Sequence, residues 1–139
     1  MPSGNSVAAH ALLRLNQIVN EQIFSETYQK ILESQASLAA QNPFAFGYLL
    51  NVLYLATEKP TEITILNSKN HELIHSLNKK FIPESIIIQI DDKKKLDALS
   101  KHSFFEGKQF PKDATNVFVC KNFSCSLPLV SMSEIEENL

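Results

Sequence analysis

The sequence is poor in most of the residues that announce a function. Among 139 residues there are two cysteines, three glycines and no tryptophan. Cys120 and Cys125 are too few for a disulfide-built secreted scaffold, so the expected compartment is the reducing cytosol. Gly4, Gly47 and Gly107 stand far apart. Loops that cradle phosphate need clustered glycines for close backbone approach, and neither a P-loop nor a Gly-x-Gly-x-x-Gly turn occurs. Arg14 is the one arginine among thirteen basic residues. Lysine lacks the planar fork that grips phosphate bidentately. Fifteen acidic residues bring the formal charge to −2, which excludes a strongly basic nucleic-acid surface. No apolar run nears the roughly 20 residues that a membrane span requires. Met1-Pro2-Ser3-Gly4-Asn5-Ser6 has neither a charged start nor a cleavable apolar stretch, so no signal peptide is expected. Nucleic acid and membrane are therefore not expected partners.

What is present is an ordinary globular balance, 44% hydrophobic and 20% charged, with a periodicity that changes partway along the chain. Val7, Ala8, Ala11, Leu12, Leu15, Ile18 and Val19 recur at helical spacing and predict a helix over 5–19. Phe24, Tyr28, Ile31, Leu32, Leu38 and Ala39 predict a second over 22–40. Asn42-Pro43 is a start signal, a capping residue followed by proline at the first helical position. The helix it opens, to about residue 56, is apolar nearly all round, which predicts burial on most sides.

At Glu58-Lys59-Pro60 the pattern switches. Ile63-Thr64-Ile65-Leu66 predicts a strand near 62–66, a helix follows over about 70–80, and Ile86-Ile87-Ile88-Gln89-Ile90 predicts a second strand. Strand, helix, strand over this length is a βαβ unit with parallel pairing. A short charged helix over 91–100, an irregular stretch over 101–113 and a strand near 116–120 come next. Ser131-x-x-Glu134 is a capping-box pattern opening a last helix. The expected class is α/β: an N-terminal three-helix segment, residues 1–57, followed by a small, mainly parallel three-stranded sheet with flanking helices, residues 58–139.

Three motifs bear on chemistry. His71-Glu72-Leu73-Ile74-His75 matches the His-Glu-x-x-His pattern, in which two imidazoles one helical turn apart hold zinc and the glutamate polarises its water. No third ligand sits at a familiar spacing. Leu73, Ile74, Leu77 and Phe81 point one way, which leaves His71 and His75 on a solvated face. No metal site is expected. Cys120 and Cys125 are read as reduced structural thiols; if the segment is a hairpin they face each other, and a disulfide is within reach. Lys121 is a weak neighbouring charge for either thiol. Lys93-Lys94-Lys95 has no interleaved aromatics and is read as a solvated helix start.

Two longer stretches are more specific. One is Pro2-Ser3-Gly4-Asn5-Ser6-Val7-Ala8 leading into Leu12-Leu13-Arg14-Leu15. The other runs from Ala114 to Pro128 and contains Cys120-Lys121-Asn122-Phe123-Ser124-Cys125. With Phe81-Ile82-Pro83 and the strand after it, they resemble the C-terminal end of the thioredoxin-domain-containing family that includes spermatogenesis-associated protein 20. Members of that family carry a thioredoxin-like domain, an (α/α)6 toroid similar to sugar 2-epimerases and a small α/β tail. The resemblance implies that this chain holds the last toroid helices and the tail, with Met1 an added start. It also implies that Ser3 and Asn5, in a loop at an inner-helix end, hydrogen-bond a polyol in the intact protein, with His10 a further cavity candidate. Where relatives place a glycine after the first tail strand, this sequence has Asn67, which speaks against a nucleotide site.

The expected function is that of a non-catalytic structural fragment of a larger thioredoxin-like, toroid-containing protein of poorly defined function. No catalytic residue and no cofactor are expected in the fragment. The alternatives are a carbohydrate-modifying enzyme, epimerase-like or glycosidase-like, in the full-length protein, or a zinc hydrolase built on His71, Glu72 and His75. Expected partners are the remainder of the parent chain and a second copy of the fragment, the latter through Tyr48, Leu49, Val52 or Leu55.

Overall fold

A computed structural model describes residues 1–121 and 124–139. Asn122 and Phe123, part of one stretch that carries the family resemblance, lie outside the described residues. The chain divides into two units, Met1–Lys59 and Pro60–Leu139.

The first unit is helical. Helix α1 spans Gly4–Val19, α2 spans Gln22–Gln41, a 3-10 turn covers Pro43–Phe46, and α3 spans Gly47–Thr57. Ser3 caps α1, its hydroxyl accepting from the Ser6 N–H, which satisfies one donor the helix leaves unpaired. Asn20 closes α1 in the left-handed conformation, φ 53°, which asparagine tolerates better than most residues. With only Asn20 and Glu21 between them, α1 and α2 form a helical hairpin. Ala9, Leu13, Tyr28, Leu32, Ala39, Leu49 and Val52 make the core, spaced three, four or seven residues apart on each helix as one buried stripe requires.

Helix α3 differs from expectation. Leu49 and Val52 are each 1% exposed, while Phe44 just before the helix is 99% exposed and Tyr54 53%. Tyr48, Leu53, Leu55 and Ala56 are half-buried against the same core, and the remaining positions of the helix face solvent. Leu49 and Val52, expected at an interface between copies, are interior to the unit.

The second unit is a four-stranded sheet with helices. Strands β1 (Glu62–Leu66), β2 (Ile86–Ile90), β3 (Asn116–Lys121) and β4 (Ser124–Cys125) lie in the order β2-β1-β3-β4. Helices α4 (His71–Asn78), α5 (Lys93–Leu99) and α6 (Met132–Asn138) follow β1, β2 and β4. β1 and β2 pair in parallel around α4, as the βαβ pattern requires. β3 pairs with β1 antiparallel, and β4 with β3 antiparallel. The class is α/β; the sheet is mixed where a mainly parallel one was expected, and a short fourth strand is added. Ile63 and Ile65 of β1 and Val117 and Val119 of β3 project to one face, where Leu73 and Leu77 of α4 and Ile135 of α6 complete the core. Phe81, expected on that same helix face, is 91% exposed, because α4 stops at Asn78 and the chain turns away.

Asn67 ends β1 with φ 57°. That left-handed backbone is what the expected glycine would supply, and asparagine reaches it at modest cost. Its side-chain amide donates to the Ala114 carbonyl at 3.1 Å and its backbone N–H to the Ile90 carbonyl at 3.0 Å. Among the described residues, no helix is long and apolar enough to cross a membrane.

Candidate functional site

In the helical unit, an open cleft of about 560 Å³ lies where the start of α1 meets the turn into α3, walled in part by Pro2, Ser3, Asn5, Gln35, Phe44 and Tyr48. Ser3 is committed to structure: its hydroxyl caps α1 and lies 2.6 Å from the Ser6 hydroxyl. Asn5 is exposed on the cleft wall.

His10 does not line this cleft. It is held between two partners, with Nδ1 2.7 Å from the Tyr48 hydroxyl and Arg14 Nε donating to Nε2 at 3.4 Å. Because Nε2 accepts, it carries no proton, and the ring proton sits on Nδ1 and is donated to Tyr48. Burial, and then the Arg14 charge, hold the imidazole below its ordinary pKa of 6.5, which keeps it neutral. Tyr48 thus accepts from His10 and retains its own hydroxyl hydrogen on a residue that lines the cleft. Tyr48 is the polar group of this site that sequence spacing missed, since it is 38 residues from His10.

His71 and His75 are exposed on α4, while Leu73 and Leu77 turn inward. Asn70 caps that helix, its side chain accepting from the Leu73 N–H at 3.1 Å. Among the described residues, no group of three or more His, Cys, Asp or Glu is placed to hold a metal ion.

The cysteines are disposed differently from expectation. Cys120 on β3 and Cys125 on β4 are directly opposite one another, with Cα atoms 3.9 Å apart, and their sulfurs are bonded in a disulfide. The two-residue strand β4 is what brings the pair into register. Cys120 is 2% exposed, whereas Cys125 faces solvent. Above them lies a lysine that sequence spacing gave no reason to single out. Gly107 takes φ 74°, which a side chain would resist, and Lys108 follows it into the unit at 8% exposure. The Lys108 ammonium donates to the Phe104 carbonyl and sits 3.8 Å from Cys125 Sγ. It also lies 5.7 Å and 6.0 Å from the ring centres of Phe104 and Phe118. Burial lowers its pKa, and the Glu62 carboxylate opposes that shift. Glu62 stands opposite Cys120 in the β1–β3 register, and burial pushes its carboxyl up against the pull of Lys108. A cleft of about 370 Å³ opens beside Cys125, walled in part by Gly107, Lys108, Phe118, Leu127 and Pro128. Lys121, the charge first associated with the thiols, turns to the Leu139 carbonyl instead.

No protein-family model and no solved structure matches this chain. Among curated proteins it is 26% identical over 142 residues to an uncharacterized protein of Caenorhabditis elegans, covering 98% of this chain and 19% of that protein. It is 22% identical over 142 residues to spermatogenesis-associated protein 20 of Homo sapiens, covering 99% of this chain and 18% of that one. The Rattus norvegicus protein of the same name gives the same identity and coverage. The chain is therefore homologous, at low identity, to the spermatogenesis-associated protein 20 family, and it spans about a fifth of the length of these relatives.

Proposed function

We propose that this chain is part of a protein several times longer, in which it serves as a structural element: the closing helices of an (α/α)6 toroid followed by an α/β module, alongside a thioredoxin-like domain. One observation carries this reading. The alignment takes in 98–99% of this chain but 18–19% of its relatives. The helical unit supports it, because Ile23, Leu38, Phe44 and Tyr54 are 53% to 99% exposed. Exposed apolar side chains of this size are what neighbouring toroid helices would cover in the longer protein, or a second copy when the fragment stands alone. The compartment we assign is the cytosol, where a cysteine pair stands reduced or cycles rather than serving as a permanent staple.

An antibody raised against this chain tests the reading. Blotted against an extract of the source cells, it should detect a band about five times the mass of the 15.6 kDa chain. A single band at the mass of the chain itself would overturn it.

The cleft beside Asn5 favours a second reading, in which the whole protein binds or modifies a carbohydrate. The Asn5 and Gln35 amides and the Tyr48 hydroxyl are side-chain donors on its wall that a polyol could use. Saturation-transfer NMR of the full-length protein with neutral monosaccharides should show contact that Asn5→Ala abolishes; equal signals from both proteins would remove this reading.

A further inference from the structure

We propose that Cys120 and Cys125 form a thiol–disulfide exchange site, with Cys125 the attacking sulfur, Cys120 the resolving one and Lys108 the counter-charge that holds the Cys125 thiolate. The inference goes beyond the structural role and does not depend on the parent chain.

Three independent placements support it. The sulfurs are unequal: Cys125 is exposed and Cys120 is 2% exposed, which is the division of labour that exchange needs, one sulfur reachable and one shielded. Lys108 is a buried ammonium that donates to the Phe104 carbonyl, lies by two aromatic rings and Cys125 Sγ, and feels the Glu62 carboxylate. A disulfide sulfur is a weak acceptor and carries no charge, so in the oxidised state it adds nothing to what Glu62 offers this cation; a thiolate 3.8 Å away adds a charge in direct contact with it. The third placement is the cleft of about 370 Å³ beside Cys125, with Leu127 and Pro128 on its wall. It leaves room for the organic part of a disulfide substrate against an apolar surface.

In the reduced chain the Cys125 thiolate attacks one sulfur of an external disulfide. The external S–S bond breaks, a mixed disulfide forms on Cys125, and the departing thiolate takes a proton from water. The Cys120 thiol then loses its proton and attacks Cys125 Sγ. The mixed disulfide breaks, the second external thiolate leaves and is protonated, and the Cys120–Cys125 bond forms. Two protein thiols lose two electrons, and one external disulfide becomes two thiols. Glu62, the register partner of Cys120 on β1, is positioned on the same face to accept the Cys120 proton. The charged groups that face or border the pair are Lys108, Glu62 and, on the cleft wall, Glu106.

The test uses the 139-residue chain, reduced, with oxidised glutathione as the probe. Acid-quenched at short times and digested, the wild-type chain should carry glutathione on Cys125 and none on Cys120. Iodoacetamide then reads the thiolate: in Cys120→Ser, the alkylation rate of Cys125 against pH should have its midpoint about one unit or more below the ordinary thiol value of about 8.5. Adding Lys108→Gln should move that midpoint back up and slow alkylation at neutral pH about threefold, since a tenfold loss of thiolate is partly offset by its greater nucleophilicity. Lys108→Arg should keep the low midpoint. Glutathione on Cys120, or a midpoint at the ordinary value in Cys120→Ser, would overturn the proposal. A midpoint indifferent to Lys108→Gln would overturn the role of the lysine. The adduct position in the wild-type chain needs no variant, so it decides the assignment of Cys125 even if Lys108→Gln fails to fold.

Discussion

Thr64 offers the sharpest test of the packing in the sheet unit. It sits in the middle of β1, opposite Ile88 on β2 and Phe118 on β3, at 0% exposure. Its hydroxyl has no hydrogen-bond partner among the described residues. In water that hydroxyl is solvated, and in the fold it is not, which costs about 1–3 kcal/mol on the scale of protein substitutions. Valine has the same branched shape, replaces the hydroxyl by a methyl and favours a strand as much as threonine does. Thr64→Val should therefore stabilise the sheet unit by about 1–2 kcal/mol, with roughly 4–8 °C in Tm for each kcal/mol in a domain of this size. Urea unfolding followed by circular dichroism should show a higher midpoint at unchanged slope. Thr64→Ser keeps the hydroxyl and deletes the methyl, so it should lower the midpoint, by about 0.5–1.5 kcal/mol for a lost buried methyl. A Thr64→Val midpoint at or below that of the parent would refute the reasoning, because it would mean that the hydroxyl is worth more in the fold than in water.

His10 makes the helical unit sensitive to acid. Its folded pKa lies below 6.5, so the unfolded chain takes up the proton more readily; stability is complete above about pH 6.5 and falls as the pH drops through the folded value. Urea midpoints between about pH 7.5 and pH 5 should fall for the parent chain and flatten for His10→Gln. At α6, Ser131 accepts from the Glu134 N–H, and the Glu134 carboxylate accepts from Val130 and Ser131 at 2.9 Å and 3.0 Å. These bonds hold Glu134 below its ordinary 4.5, so the cap is complete above that value and is lost as the pH falls through the lowered one; Ser131→Ala should cost about 1 kcal/mol in a denaturant titration at neutral pH. After dialysis against zinc and then against a weak chelator, the chain should retain no metal. A retained equivalent that His75→Ala removes would revive the His71–His75 site.

The three N-terminal helices and the β1–α4–β2 crossover were readable in the sequence because periodicity, Asn42-Pro43 and the Ser131–Glu134 box are local signals, each spanning a few residues. The direction of β3 was not, because an apolar run such as Val117-Phe118-Val119 is the same whichever way it lies against β1. Strand β4 is two exposed residues and has no pattern of its own. Phe104 and Phe105 are each 2% exposed in a stretch without periodicity, so their part in the core is set by a single 3-10 turn. The approach of Lys108 to Cys125, across 17 residues, depends on that same turn. Apolar composition overstated the burial of α3, since it records what a helix can bury and not what is there to cover it.

The strand order has a consequence for the chain's fate under stress. β2 lies at an edge of the sheet, hydrogen-bonded to β1 on one side only among the described residues. Its sequence, Ile86-Ile87-Ile88-Gln89-Ile90, is uncharged and rich in β-branched side chains, and Ile87 is 38% exposed. Such a segment templates its own kind: on partial unfolding, copies from separate molecules can stack into cross-β ladders. Asp91 and Asp92 follow at once, and Glu84 stands two residues before the strand. Stacking in register would pile these carboxylates upon one another, so the acidic residues bracketing β2 act as gatekeepers against aggregation.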